Sequence, residues 1–233
     1  MKKFLIAITI LFQFSCKQKA EPCHCTETDV VMCSTPFRTF KFTNGKFLAI
    51  TSAPDSSESK PVYLEFGIYE CGADSLTRFY HALEPCLLDF RSDTLFVNRQ
   101  ELLAIGKDFR WVDTTWLIDK YYYDNGKLKT HKALPSYLGY DNAQIDEVLR
   151  KFESTEWKTQ MTIGSDSAMD KMMQLANNLM IASISGNDAA TKYFRQFNKK
   201  FEPDGHYQEW YNEMQRMIDT ARIVTKRNNS NQE

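Results

Sequence analysis

The densest grouping of reactive side chains is Cys23-His24-Cys25 followed by Cys33. These are four soft or borderline donors in one short segment, of the kind that zinc or copper takes. A Cys-x-Cys pair with histidine between the thiols is not a usual structural-zinc spacing, and the segment lies beside Glu21-Pro22 in a polar stretch. Disulfide or spare-thiol chemistry is therefore the expected role of Cys23, Cys25 and Cys33, with a metal site formed by Cys23, His24, Cys25 and Cys33 as the alternative. Cys71 and Cys86 form a candidate disulfide closing a modest loop, a closure that stabilises by about 3 kcal/mol. Cys23 and Cys25 are too close to bridge each other, so Cys33 is expected to pair with one of them, leaving one thiol over.

Other chemistry is thinly supported. The chain has no G-x-S-x-G, Walker loop, H-E-x-x-H or G-x-G-x-x-G, so no catalytic residue and no cofactor is assigned. His24, His81, His131 and His206 are isolated in sequence. Asp141, Asp146 and Glu147 gather at a loop-to-helix junction, where the helix macrodipole alone favours acidic residues. The EF-hand pattern needs glycine at its sixth position, which Asp141–Glu147 does not supply. The aromatic run Trp116 to Tyr123 is the most suggestive surface. Strand alternation sets Trp116, Ile118 and Tyr122 on one side, so Trp116 and Tyr122 form a candidate stacking platform for a sugar or a protein.

The amino terminus reads as an address. Met1-Lys2-Lys3 is a short positive segment, Phe4 to Phe12 is an uncharged apolar run, and Gln13-Phe14-Ser15-Cys16 follows. The run is too short to span a bilayer, which takes about 20 residues. The layout resembles a bacterial lipoprotein signal, with Ser15 as the small residue before the modified cysteine and with Gln13 and Phe14 standing where an aliphatic and a small residue are usual. The resemblance covers residues 1–16. It implies loss of residues 1–15, acylation of Cys16, and a mature protein anchored to a membrane of the cell envelope, with the outer membrane expected.

Composition agrees with a globular domain on a tether. The 233 residues are 42% hydrophobic and 25% charged, with a net charge of −1. Losing Lys2 and Lys3 takes the mature chain to about −3. Nothing is basic enough for nucleic acid, and export would remove that partner.

The elements that must position these residues fall in two blocks. From 28 to 135 the pattern is strand-like. Asn44-Gly45 predicts a two-residue hairpin with Phe42 facing Phe47 and Phe40 facing Ala49. Asn125-Gly126 predicts a second, with Tyr123 opposite Leu128 and Asp124 opposite Lys127. Pro61–Tyr69, Leu87–Phe90 and Thr94–Val97 read as further strands. After Pro135 the period becomes helical. Ile145, Val148, Leu149 and Phe152 mark a helix capped by Asp141 or Asn142. Met169, Met172, Met173, Ala176, Leu179, Met180 and Ser183 form the stripe of a longer one, and Gly186 ends it. Ala190, Tyr193, Phe194 and Phe197, then Tyr207 to Ala221, mark two more.

The expected fold is α+β, an antiparallel sheet built from hairpins followed by a group of about four helices. The expected organisation is a signal at 1–15, a lipidated tether at 16–27, the β region at 28–135, helices at 136–228 and a disordered tail at 229–233. The expected function is a membrane-anchored, non-enzymatic module that binds another envelope protein. The alternatives are a small-ligand or glycan binder using the aromatic face, or an enzyme without a recognisable motif.

Overall fold

The computed structural model describes residues 23, 36–55, 61–73, 75–82, 84–156 and 166–230. The fold is α+β, with two antiparallel sheets followed by four helices. The strands are β1 (Arg38–Lys41), β2 (Phe47–Ile50), β3 (Val62–Tyr63), β4 (Phe66–Glu70), β5 (Arg78–Tyr80), β6 (Cys86–Arg91), β7 (Thr94–Leu103), β8 (Val112–Asp124) and β9 (Lys127–Ala133). The helices are α1 (Asn142–Glu153), α2 (Asp166–Ile184), α3 (Asp188–Phe201) and α4 (Gly205–Ser230).

One sheet has the order β1-β2-β4-β5 and the other β3-β6-β7-β8-β9. They pack face to face. Phe40, Phe42, Leu48, Ile50, Phe66, Ile68 and Tyr80 from the first meet Tyr63, Cys86, Leu95, Val97 and Tyr121 from the second in one buried cluster. Alternation along each strand supplies this inner face, because successive side chains point to opposite sides of a sheet.

The two Asn-Gly hairpins differ. At Asn125-Gly126 both central residues have positive φ, 49° and 74°, and Tyr123 pairs with Leu128 and Asp124 with Lys127 as expected. At Asn44-Gly45 only Gly45 does, at 82°. The Asn44 side chain accepts from Lys46 N at 3.0 Å instead, and Phe42 N donates to Lys46 O at 2.9 Å. The loop is thus one residue longer than expected. Phe40 pairs with Leu48 and Lys41 with Phe47, not Phe40 with Ala49 or Phe42 with Phe47. A one-residue slip exchanges the faces of a strand. It turns Leu48 and Ile50 inward with Phe40 and Phe42, and puts Ala49 in a separate outer cluster with Tyr69, Leu76, Cys23 and Cys71.

A bulge divides β8. Arg99 pairs with Leu117 but Gln100 with Thr115, so Trp116 is the extra residue. Beyond the bulge, Asp119 and Tyr121 alternate inward in the sandwich. At the bulge, Trp116 and Leu117 both enter a second core that the helices build.

Helix α2 is the axis of that second core. From Met172 to Ser183 only Gln174 is not buried, as expected of a helix that is apolar nearly all round. Its two buried amides have partners on the segment between β7 and β8 and on the approach to α1. Asn177 Oδ1 accepts from Ala104 N at 3.1 Å and Asn178 Oδ1 from Tyr140 Oη at 3.2 Å. Helix α1 starts with a capping box in which Asp141 accepts from Gln144 N and Gln144 accepts from Asp141 N. Helix α4 runs to Ser230, into the expected tail.

Candidate functional site

Strands β5, β7 and β8 bring four buried polar side chains together inside the sandwich. Arg99 donates to Asp119 Oδ2 through Nε at 3.0 Å and Nη2 at 2.9 Å. Tyr80 Oη donates to the same oxygen at 2.8 Å and lies 2.7 Å from Tyr121 Oη. On its outer side Arg99 Nη1 meets the Glu84 carboxylate at 3.1 Å. Lys132 Nζ stands 3.8 Å from Asp119 Oδ1, which has no hydrogen-bond partner among the described residues. Arg99 is 4% exposed and Asp119 1%. Arg99 and Lys132 thus face Glu84 and Asp119, and the Arg78 guanidinium stands 5.6 Å from the Tyr80 ring as a further cation. Burial, then the Asp119 charge, pushes the Tyr80 phenol up, so it remains a donor. The network ties the two sheets together, because Tyr80 belongs to one and its partners to the other.

Lys132 links this network to an open cleft of about 500 Å³ between β9 and α4, lined by Thr130, His131, Thr220, Ile223, Arg227 and Asn228 among others. Burial pulls the Lys132 ammonium below its usual value, and Asp119 partly offsets that. The cleft carries cationic and hydrogen-bonding groups of the kind that orient a polar ligand.

The other flank of α4 carries a longer groove. Two adjoining clefts of about 390 and 410 Å³ share Asp188, Thr191 and Arg222. Helix α3 contributes Lys192, Arg195 and Lys199, and α4 contributes Arg222 and Lys226. Tyr211 stacks on Phe194 at 4.6 Å, whereas nearer the start of α3 the link is Arg222 Nη2 donating to Thr191 Oγ1 at 2.8 Å.

The structure redistributes the residues expected from sequence. Cys71 is bonded to Cys23, not Cys86, and not Cys33 but Cys71 is the partner of Cys23. The reason is topological. Cys71 follows β4 and lies against the outer face of its sheet with Cys23, whereas Cys86 opens β6 and points into the sandwich. Cys86 is a buried free thiol that donates to Glu84 O at 3.1 Å, and burial pushes it up to about 12. Cys16, His24, Cys25 and Cys33 lie outside the described residues. No group of three or more His, Cys, Asp or Glu side chains with metal-binding geometry occurs among the described ones. The Trp116–Tyr122 platform does not form, because the bulge sends Trp116 into the helical core at 6% exposure while Tyr122 stays half-buried beside Thr94 and Lys129. His81 packs on Phe79 and His206 on Tyr207, far in sequence from His131 in its cleft.

Sequence reading missed the buried network. Its signal is a charge at an inward position of an alternating strand, as in Leu95-x-Val97-x-Arg99 and Leu117-x-Asp119-x-Tyr121. The sequence signal for the α3–α4 groove is the helical spacing of basic residues at 192, 195 and 199. No family model matches the chain, and comparison with curated proteins and with solved structures returns no match.

Proposed function

We propose that the protein is a lipoprotein of the bacterial cell envelope, held to a membrane by acylated Cys16, which works by binding another envelope protein and not by catalysis. The observation that carries this reading is the Cys23–Cys71 disulfide, seven residues beyond Cys16. Structural disulfides belong to oxidising compartments outside the cytoplasm, and this one fixes the tether to the folded body. None of the described helices is long and apolar enough to cross a membrane, so attachment falls to the amino-terminal segment.

With Cys16 in a bilayer, seven residues reach at most about 25 Å. Cys71 is at the end of the sandwich that carries the turns, because Cys71 N donates to Phe47 O and Lys46 meets both Glu70 and the Tyr123 ring there. Helix α2 meets the far ends of β7 and β8 through Ala104 and Phe109. Strand β8 has 13 residues, a length of about 40 Å. The helical end therefore stands away from the membrane, where a partner can reach it.

The test is an intact mass of protein taken from its native membrane, together with fractionation of Cys16→Ala. Loss of residues 1–15 with added acyl chains, and release of the variant from the membrane, support the reading. An unacylated chain, or a variant that stays bound, overturns it.

A further inference from the structure

The groove between α3 and α4 is strongly cationic. Lys192, Arg195, Lys199, Arg222 and Lys226 stand there against the single carboxylate Asp188, in a chain whose net charge is −1. Among the described residues none of these five cations is in an ion pair. Lys192, Arg195 and Lys199 follow one another at helical spacing on one stripe of α3. Like charges so placed oppose helix formation. Only Lys199 lies in the last turn, where the helix dipole offsets part of that cost. The opposite stripe of α3, with Ala190, Phe194, Phe197 and Phe201, supplies the packing that holds the helix despite it.

We infer that this groove is the docking site for an extended acidic segment of the partner protein, an inference that rests on reading the protein as a binding module. The shape favours a peptide over a compact anion. Lys192, Arg195, Lys199 and Arg222 line one cleft and Arg222 and Lys226 the adjoining one, so an extended segment crossing both meets cations in succession. Ile184 and Ala221 line the floor beside the charges, so the segment meets apolar surface between its carboxylates. Asp188 within the row disfavours a polymer charged at every repeat. Complementary charge across such a rim governs association rate and partner choice.

The experiment uses the mature lipidated protein in detergent and a fluorescent eight-residue peptide rich in Asp and Glu, with its Asn/Gln counterpart and inorganic polyphosphate as competitors. The variant Lys192→Gln/Arg195→Gln/Lys199→Gln changes only exposed positions and keeps good helix formers, and circular dichroism confirms that it folds. A control variant, Lys41→Gln/Lys127→Gln/Lys129→Gln, removes equal charge from the sheets. The expected result is that the groove variant weakens acidic-peptide binding about tenfold and the control less than about twofold. Asp188→Asn is expected to tighten it. Equal loss in both variants, no binding of the acidic peptide, or tighter binding of polyphosphate by the same cations overturns the inference. Acylation and fractionation of Cys16→Ala are read separately, so failure of the anchor and failure of the groove are distinguishable.

Discussion

Replacing Arg99 by Met would strand the Asp119 carboxylate inside the sandwich. The stem of the side chain is kept, but Asp119 Oδ2 loses two donors, at 3.0 and 2.9 Å, and retains only Tyr80. Breaking a buried pair by removing one partner costs about 3–5 kcal/mol. Tyr80 still donates and Lys132 stands 3.8 Å away, so the lower end applies, about 3 kcal/mol. In a domain of this size each kcal/mol lowers Tm by about 2–4 °C, giving a fall of about 6–12 °C. Asp119→Leu alone leaves Arg99 with Glu84 and should also destabilise. The double variant removes both charges, and Tyr80 and Tyr121 remain bonded to each other at 2.7 Å. It should recover at least about 2 kcal/mol of the summed cost. Urea unfolding of the four proteins at constant slope measures this cycle. If the two single effects add to within about 0.5 kcal/mol, Arg99 and Asp119 are not a coupled pair and the reasoning fails.

Glu101 is held by burial, and by Glu213, Glu84 and Asp113 around it, at about 6 against its usual 4.5. A raised carboxyl contributes stability that is present below 4.5 and is lost as pH rises through 6, a loss of at most about 2 kcal/mol. Glu101→Gln should therefore raise Tm at pH 7.5 and leave it unchanged near pH 4, which calorimetry at the two pH values checks. The Cys86 thiol, buried and raised to about 12, should escape alkylation at pH 8 in the native protein and react fully in guanidinium, as read by peptide mass. Cys71→Ser opens a ring with a sequence separation of 48. The chain-entropy model gives a loss of about 4 kcal/mol, and an unchanged urea midpoint would argue against a formed bridge.

Local chemistry was readable where it acted alone. Asn125-Gly126 set its register because both residues accept positive φ. The first hairpin slipped because a distant residue takes part. Thr43 N and Oγ1 are held by Asp93 at 2.7 and 2.8 Å across 50 residues. The helices followed their apolar spacing, and Asp141 served as the cap. The cysteine pairing depended on which sheet face each residue occupies, a property of tertiary structure that the separation between Cys71 and Cys86 does not carry. Arg99 and Asp119 interrupt otherwise apolar inward rows, but their meeting depends on the pairing of β7 with β8, and the bulge at Trp116 that removed the aromatic platform has no marker in the sequence.

The bridge from Cys23 to Cys71 makes the chain between them a covalent loop in which β1, β2, β3 and β4 all lie. A protease that cuts the Ser- and Pro-rich stretch after β2 would open this loop without separating the tether from the body. A pull on the residues before Cys23 is likewise passed to Cys71 and the end of β4, an interior strand of its sheet, so that the β1–β2 hairpin carries none of the load while the bridge is intact. Reduction would transfer that load to the hairpin and make any existing cut a release.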